Sequence, residues 1–148
     1  MSIRLRLAMP DDLALVFPRT RSLNDHEGIT IDSPRLEAAL RQLLGNPGLG
    51  GVWLVLRDGE AIGYAIVTYG YDLEFGGREG WRTEFWIDSD QRSNGAGSAA
   101  LALLDVELRL RDVKALHLQV RPDNPAFRLY ERAGFVTSPR RILTRLIG

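Results

Sequence analysis

The sequence has 148 residues, which suits one domain of ordinary size. Nineteen basic and nineteen acidic residues give zero formal charge, which argues against binding nucleic acid mainly through its phosphates. Cysteine is absent and histidine occurs twice, so thiolate chemistry, disulfides and a multi-histidine metal site are excluded. Residues 1–10 contain no apolar run of signal-peptide length, and nowhere do 18 apolar residues run together. We therefore expect one cytoplasmic domain over residues 1–148, with no metal, nucleic-acid or membrane partner.

The hydrophobic pattern predicts ten elements in the order β, α, α, β, β, β, α, β, α, β. Alternation predicts a strand near the start, a first helix follows Pro10 to about Pro18, and residues 24–32 look like a polar loop. Ser33-Pro34 starts the second helix, and Asp58-Gly59 predicts a hairpin. The later elements are a strand at 79–88, a helix at 95–110, a strand at 116–120, a helix at 125–133 and a strand at 142–147.

Charge is uneven along the chain although it sums to zero. Residues 72–90 carry six acidic residues against two arginines, and residues 121–148 carry six arginines against two acids. Two interpretations stay open. The charges belong to solvated faces with scattered ion pairs, or they mark an acidic substrate zone beside a zone that accepts an anionic cofactor.

A glycine-rich turn, Asp90 to Ala100, directly follows the strand at 79–88 and opens the next helix. Backbone N–H groups at such a helix start point outward with the positive end of the dipole, which suits a phosphate. Gly95-x-Gly97-x-x-Ala100 also matches a dinucleotide fingerprint. Two features count against NAD: about three strands precede the turn, and the following strand lacks the expected acid for the ribose.

The turn contains the motif Arg92-x-x-Gly95-x-Gly97, and a second motif runs from Val120 to Phe135 with Asn124, Leu129-Tyr130 and Gly134-Phe135. Together these two separated motifs resemble the GNAT family of N-acetyltransferases, which bind acetyl-CoA. The resemblance covers essentially the whole chain. It implies an α/β fold with a mixed, mostly antiparallel central sheet and helices on both faces, and it leaves a homodimer open.

The resemblance also implies which residues contact acetyl-CoA, with no metal involved. The turn would hold the pyrophosphate through Arg92, Ser93, Asn94, Gly95, Ala96, Gly97 and Ser98. The strand before it would contact the pantetheine arm around Trp86, Ile87 and Asp88, and Asn124 would touch the same arm. Two positions depart from the family: Ser93 stands where Gly is usual, and the spacing to Tyr130 lets Asp123 compete with Asn124 for the family's Asn position.

Residues 69–78 and 83–87 are similar to the branch of diamine and polyamine acetyltransferases. That branch often has an acidic pair where this chain has Thr83-Glu84, so one of two acids remains. A cationic amine is the acceptor that this likeness implies.

Three acidic residues and one tyrosine are candidates for the chemistry. Glu84 is the candidate base; alternation places it on one strand face with Arg82, Trp86 and Asp88, so an ion pair with Arg82 or another arginine is the alternative. Tyr130 is the candidate general acid, and a core tyrosine is its alternative. Glu27, in the loop at 24–28, and Asp72 are candidate acceptor-site residues; a solvated loop acid is the alternative for Glu27.

These observations predict an N-acetyltransferase that acts on a primary amine of a small molecule by direct attack on acetyl-CoA. An acetyltransferase for a protein N-terminus or lysine is the first alternative. A domain that binds acetyl-CoA without catalysis is the second, and the presence of both Glu84 and Tyr130 favours an enzyme over it.

Overall fold

The computed structural model describes residues 2–148, which form two compact units: an N-terminal unit that ends at Leu118 and a C-terminal unit, Gln119–Gly148. The single domain predicted over residues 1–148 stays a prediction. None of the helices described between residues 2 and 148 is both long and apolar enough to cross a membrane.

The N-terminal unit is built on a mixed sheet. Its strands and helices are β1 Ile3–Leu7, α1 Leu13–Glu27, α2 Ser33–Leu44, β2 Gly50–Arg57, β3 Glu60–Asp72, β4 Gly77–Ile87, α3 Ala96–Leu110 and β5 Ala115–His117. The strands lie in sequence order; successive pairs from β1 to β4 are antiparallel, and β4 pairs with β5 in parallel. The α/β fold with a mostly antiparallel sheet is thereby confirmed.

Helices cover both faces of this sheet, because α1, α2 and α3 each bury an apolar stripe. On one face the helices α1 and α2 pack against β2 and β3, through Val16, Leu23, Leu40, Leu44, Leu54, Tyr64 and Ile66. On the other face α3 packs against the same strands through Leu104, Leu108, Trp53, Ala65 and Val67. Burial of each valine, leucine or isoleucine in these two sets contributes about 1.5–3 kcal/mol to folding. The sheet is therefore stabilised by packing on both faces.

A β-bulge in β4 changes which side chains share a face. Ile66 pairs with Glu84 and Val67 pairs with Arg82, so Thr83 is an extra residue in β4. The guanidinium of Arg82 lies over the ring of Phe85 at 5.2 Å, on the α3 side. Glu84 faces α1 and α2 instead. The prediction that Arg82 and Glu84 share a face was wrong, because alternation with period two assumes an unbroken ladder.

The first helix is longer than the sequence pattern indicated. Helix α1 continues through Pro18 to Glu27 and ends at Gly28, whose φ is +69°. Burial of Val16 and Leu23 against the sheet offsets the loss of about 3 kcal/mol at an internal proline. Glu27 was therefore wrongly assigned to a loop, and it lies on the last turn of α1.

The C-terminal unit contains one helix within residues 119–148, α4 Phe127–Arg132. The Oδ1 atom of Asn124 accepts a hydrogen bond from the N–H of Ala126 at 2.9 Å just before it. The strand predicted at 142–147 is not found in this unit. Alternation alone does not make a strand, because a strand also requires a hydrogen-bonded neighbour, which residues 119–148 by themselves do not supply.

Candidate functional site

A cleft of about 330 Å³ lies in the N-terminal unit beside the end of β4. Three segments line it: α1 with Leu23, His26 and Glu27, β4 with Phe85, Trp86 and Ile87, and the glycine-rich turn with Arg92, Ser93 and Gly97. The structure thus brings together six of the predicted residues: Glu27, Trp86, Ile87, Arg92, Ser93 and Gly97. The lining thus combines one acid, Glu27, with an arginine beside the start of a helix.

The glycine-rich turn has the backbone that a phosphate site requires. Gly95 caps α3 with φ of +85°, and Ser93 has φ of +70°. Ser93 holds this left-handed conformation at a cost of about 1–2 kcal/mol, which explains why glycine suits that position. The first hydrogen bond of α3 runs from the N–H of Ala99 to the carbonyl of Gly95 at 3.1 Å. The N–H groups of residues 96–98 precede that bond and carry the positive end of the helix dipole.

Gly97 is not required by packing within the protein. A Cβ atom there would contact only the ring of Phe85, at 3.8 Å, which is an ordinary van der Waals distance. The backbone of Gly95 does require glycine, because its φ is positive. Glycine at position 95 is explained by the backbone conformation. Glycine at position 97 is explained neither by conformation nor by packing, so the close approach of a ligand is the remaining explanation there.

Arg92 lies inside the cleft and contacts the strand before the turn. Its guanidinium lies over the ring of Trp86 at 4.5 Å, and its Nε donates a hydrogen bond to the carbonyl of Ile87 at 2.7 Å. His26 contacts the same indole edge-to-face at 6.0 Å. Trp86 therefore contacts both Arg92 of the turn and His26 of α1.

Glu84 lies two residues before Trp86 on the same face of β4, about 7 Å along the strand, and does not itself line the cleft. The hydroxyl of the fully buried Tyr64 donates a hydrogen bond to Glu84 Oε1 at 2.7 Å. Burial raises the pKa of Glu84 above its ordinary value, and the hydrogen bond from Tyr64 opposes that rise. Burial, and then the charge of Glu84, raises the pKa of Tyr64.

The ion pair considered for Glu84 is not formed. Within residues 2–148 no arginine forms a salt bridge with this carboxylate, and its structural partner is a phenol. A carboxyl group whose pKa is raised by burial is a stronger base than an ordinary carboxylate, and such a group next to a cleft is a candidate for proton transfer. That Glu84 acts as a base stays a prediction. The alternative role for Glu84 is now a structural hydrogen bond with Tyr64 and no longer an ion pair with an arginine.

Asp72 is far from the cleft. It ends β3, nine residues beyond Gly63, which pairs with Ile87 at the cleft; nine residues of strand span about 30 Å. Its Oδ1 accepts a hydrogen bond from the N–H of Glu74 at 2.9 Å, which caps a short 3-10 turn. Asp72 therefore has a local structural role in the N-terminal unit.

Tyr130 and Asn124 belong to the C-terminal unit, and their roles stay predictions. The ring of Tyr130 contacts the ring of Phe135 edge-to-face at 5.8 Å, within that unit. The side chain of Asn124 is held by its hydrogen bond with the N–H of Ala126. The competition between these two residues for the family's Asn position is not decided by this geometry.

Sequence reasoning missed the residues that hold the site from a distance. Arg57, at the end of β2, donates to Oδ1 of Asn94 at 2.8 Å and to the carbonyl of Gln91 at 3.3 Å, so it anchors the turn. Arg19 of α1 forms a two-pronged ion pair with Asp88. No local pattern marks an arginine as the partner of a residue that lies 34 to 69 positions away.

The residues described, 2–148, contain no cluster of three or more His, Asp or Glu side chains that could hold a metal ion. The lining of the cleft presents a carboxylate, an imidazole, an indole, an arginine and the start of a helix.

The chain belongs to the acetyltransferase (GNAT) family, because the sequence model of that family matches residues 17–135. That match includes the cleft, the turn and the whole of the second motif. The family resemblance inferred from the two motifs is thereby confirmed, and the protein is an acyltransferase. Acetyltransferases of this family use acetyl-CoA. No curated protein sequence matches the chain significantly.

Solved structures support the same fold. An integron cassette protein from the mobile metagenome of Cole Harbour Salt Marsh is 28% identical, with a TM-score of 0.84 over 97% of this chain and 90% of that one. A protein from Arthrobacter sp. FB24 named as an acetyltransferase is 25% identical, with a TM-score of 0.81 over 97% and 96%. A protein from Clostridium acetobutylicum, also named as an acetyltransferase and solved with acetyl-CoA, is 22% identical, with a TM-score of 0.77 over 97% and 96%.

Proposed function

We propose that the protein transfers an acetyl group from acetyl-CoA to a primary amine of a small molecule, by direct attack in a ternary complex. The observation that carries the proposal is the cleft, whose lining combines Arg92 and the start of a helix with the acid Glu27. Arg92 and the helix start suit a diphosphate, and Glu27 suits a cation. Glu84, beside the cleft, adds a second acid. The likeness to the diamine and polyamine branch points to an amine that carries a further positive charge.

Acetyl-CoA is the acetyl donor of this proposal, and the turn would hold its pyrophosphate. The N–H groups of residues 96–98 would bind the phosphate oxygens, and Arg92 would add charge-assisted hydrogen bonds. The end of β4 would contact the pantetheine arm through the backbone of Trp86 and Ile87. The Ile87 carbonyl already accepts a bond from Arg92, and its second lone pair leaves room for another donor.

The acceptor amine must lose a proton before it attacks. An alkylamine with a pKa near 10 is about 0.1% neutral at pH 7, so a base that takes the proton raises the reactive fraction. Glu84 is the proposed base, directly or through a water molecule. The neutral nitrogen then forms a bond to the thioester carbonyl carbon and loses its second proton to solvent as the carbon–sulfur bond breaks. Tyr130 is proposed to protonate the departing thiolate and to regain its own proton from solvent.

The experiment is a panel of acceptors with purified protein and acetyl-CoA, followed by thiol release and mass spectrometry of the product. Linear diamines, polyamines and neutral-tailed monoamines form one arm, and peptides with a free N-terminus or lysine form the other. We expect turnover with the diamines or polyamines and a mass increase of one acetyl group. Turnover with peptides alone would contradict the proposal and support a protein acetyltransferase. Binding of acetyl-CoA with no turnover in either arm would support a domain that binds without catalysis.

A further inference from the structure

The ion pair between Arg19 and Asp88 joins α1 to the end of β4 beside the cleft. Arg19 Nε and Nη2 donate to the two carboxylate oxygens of Asp88 at 3.0 and 2.8 Å. The remaining contacts of the guanidinium are backbone carbonyls: Nη2 donates to Ala61 at 3.0 Å, and Nη1 donates to Leu15 at 2.7 Å. The side chains of Arg19 and Asp88 are only 19% and 28% exposed, so solvent screens this pair little.

Asp88 passes this constraint to Trp86. Asp88 Oδ1, which accepts from Arg19, also accepts a hydrogen bond from the indole Nε1 of Trp86 at 3.2 Å. The N–H of Asp88 donates to the carbonyl of Ile62 at 2.8 Å, which fixes the backbone at the same point. The plane of the indole is therefore set by a carboxylate whose own orientation is set by the two-pronged contact with Arg19.

The indole in turn supports the arginine of the turn. The guanidinium of Arg92 lies over the Trp86 ring at 4.5 Å, and both residues line the cleft. A chain of direct contacts thus runs from Arg19 through Asp88 and Trp86 to Arg92. Arg19 does not line the cleft itself.

We infer that Arg19 and Asp88 are positioning residues for acetyl-CoA binding, because they hold the Trp86 indole in the plane on which Arg92 lies. The inference rests on the proposed use of the cleft for acetyl-CoA. Neither Arg19 nor Asp88 belongs to either sequence motif. The side chain of Asp88 supports the indole of Trp86, and the backbone of Asp88 keeps its proposed contact with the pantetheine arm.

The test measures the dissociation constant of acetyl-CoA by calorimetry, so it does not depend on the acceptor. In Arg19→Met we expect affinity to fall about fivefold, the effect of one hydrogen bond of ordinary strength. Trp86→Phe, which removes the indole N–H, should cause a similar loss. The double variant Arg19→Met/Trp86→Phe should lose little more than Trp86→Phe alone, because the two residues act through the same contact.

A matched control is available in the same unit. Arg6 forms the same type of two-pronged pair with Asp12, at 2.9 and 3.1 Å, away from the cleft. Arg6→Met should lower the melting temperature and leave acetyl-CoA affinity unchanged. If Arg19→Met does not fold, Asp88→Asn keeps the shape of the side chain and should show the same loss of affinity.

The outcomes distinguish the positioning role of Arg19 and Asp88 from the proposed function. Arg19→Met or Asp88→Asn with wild-type affinity would overturn the positioning role, as would additive losses in the double variant. Failure of the wild-type protein to bind acetyl-CoA would overturn the proposed function, and the positioning role with it.

Discussion

Tyr64→Phe tests whether Glu84 exchanges a proton during turnover. The substitution keeps the buried ring in the core between β3, α1 and α2 and removes only the hydroxyl that donates to Glu84 at 2.7 Å. A hydrogen bond to a charged group contributes about 1.5–3 kcal/mol, and a neutral one about 0.5–1.5 kcal/mol. The difference favours the ionised carboxyl by about 1–1.5 kcal/mol, and one pKa unit corresponds to 1.36 kcal/mol. We therefore expect the pKa of Glu84 to rise by about one unit in the variant.

The assay is the pH dependence of kcat/KM for the amine, whose acidic limb reports the base of the free enzyme. In Tyr64→Phe that limb should move to higher pH by about one unit. Glu84→Gln is the control. Because this variant lacks the proposed base, its pH profile should have no acidic limb, and adding Tyr64→Phe to it should not change the profile. An acidic limb that stays in place in Tyr64→Phe would refute the assignment of the base, even if overall activity fell.

The pH dependence of stability provides a second measurement of the hydrogen bond between Tyr64 and Glu84, and the direction of that dependence can be predicted. The folded pKa of Glu84 is raised, so its contribution to stability is present at low pH and is lost as the pH rises through the folded pKa. Removal of the Tyr64 hydroxyl leaves the ionised carboxylate without its partner. The free energy of unfolding lost in Tyr64→Phe should therefore be larger above the folded pKa of Glu84 than below it.

Three further predictions concern the cofactor and the thiol. Acetyl-CoA at a hundredfold excess over its dissociation constant should stabilise the protein by about 2.7 kcal/mol and raise the melting temperature, whereas NAD should not; the reverse pattern would contradict the assigned cofactor. Tyr130→Phe should lower turnover on the order of 10²-fold with acetyl-CoA affinity nearly unchanged, and a loss of less than about threefold would remove Tyr130 from the chemistry. Gly97→Ala should raise the melting temperature slightly, because alanine favours a helix by up to about 1 kcal/mol, yet weaken acetyl-CoA binding, because its methyl group enters the cleft beside Phe85. Unchanged affinity in calorimetry would show that the ligand does not approach Gly97.

The parts that sequence reasoning predicted are those with local signals. The Asp58-Gly59 turn joins β2 to β3, and the turn before α3 lies where the glycines place it. Both depend on backbone conformations that few residues adopt, so their sequence signals are direct. The succession of β2, β3 and β4 along the chain was predicted from the same kind of turn signal.

The errors and omissions involve contacts that no local pattern encodes. Thr83 adds one residue to β4 and moves Arg82 to the opposite face from Glu84. The sequence pattern gave Tyr64 no role, although its hydroxyl on β3 is the hydrogen-bond partner of Glu84 on β4. Helix α1 extends to Glu27 because tertiary burial outweighs its internal proline. Each outcome was decided by packing between distant segments.

Steady-state kinetics of Glu84→Gln with the best amine of the panel tests the central claim most directly. The amide deletes the charge, leaves the volume almost unchanged and can still accept the hydrogen bond from Tyr64. We expect a higher KM for the amine and a lower kcat, with the KM for acetyl-CoA almost unchanged, because the turn that holds the pyrophosphate is a separate element. Wild-type kcat and amine KM in a folded Glu84→Gln protein would contradict the account and would leave Glu84 as a buried hydrogen-bond partner of Tyr64.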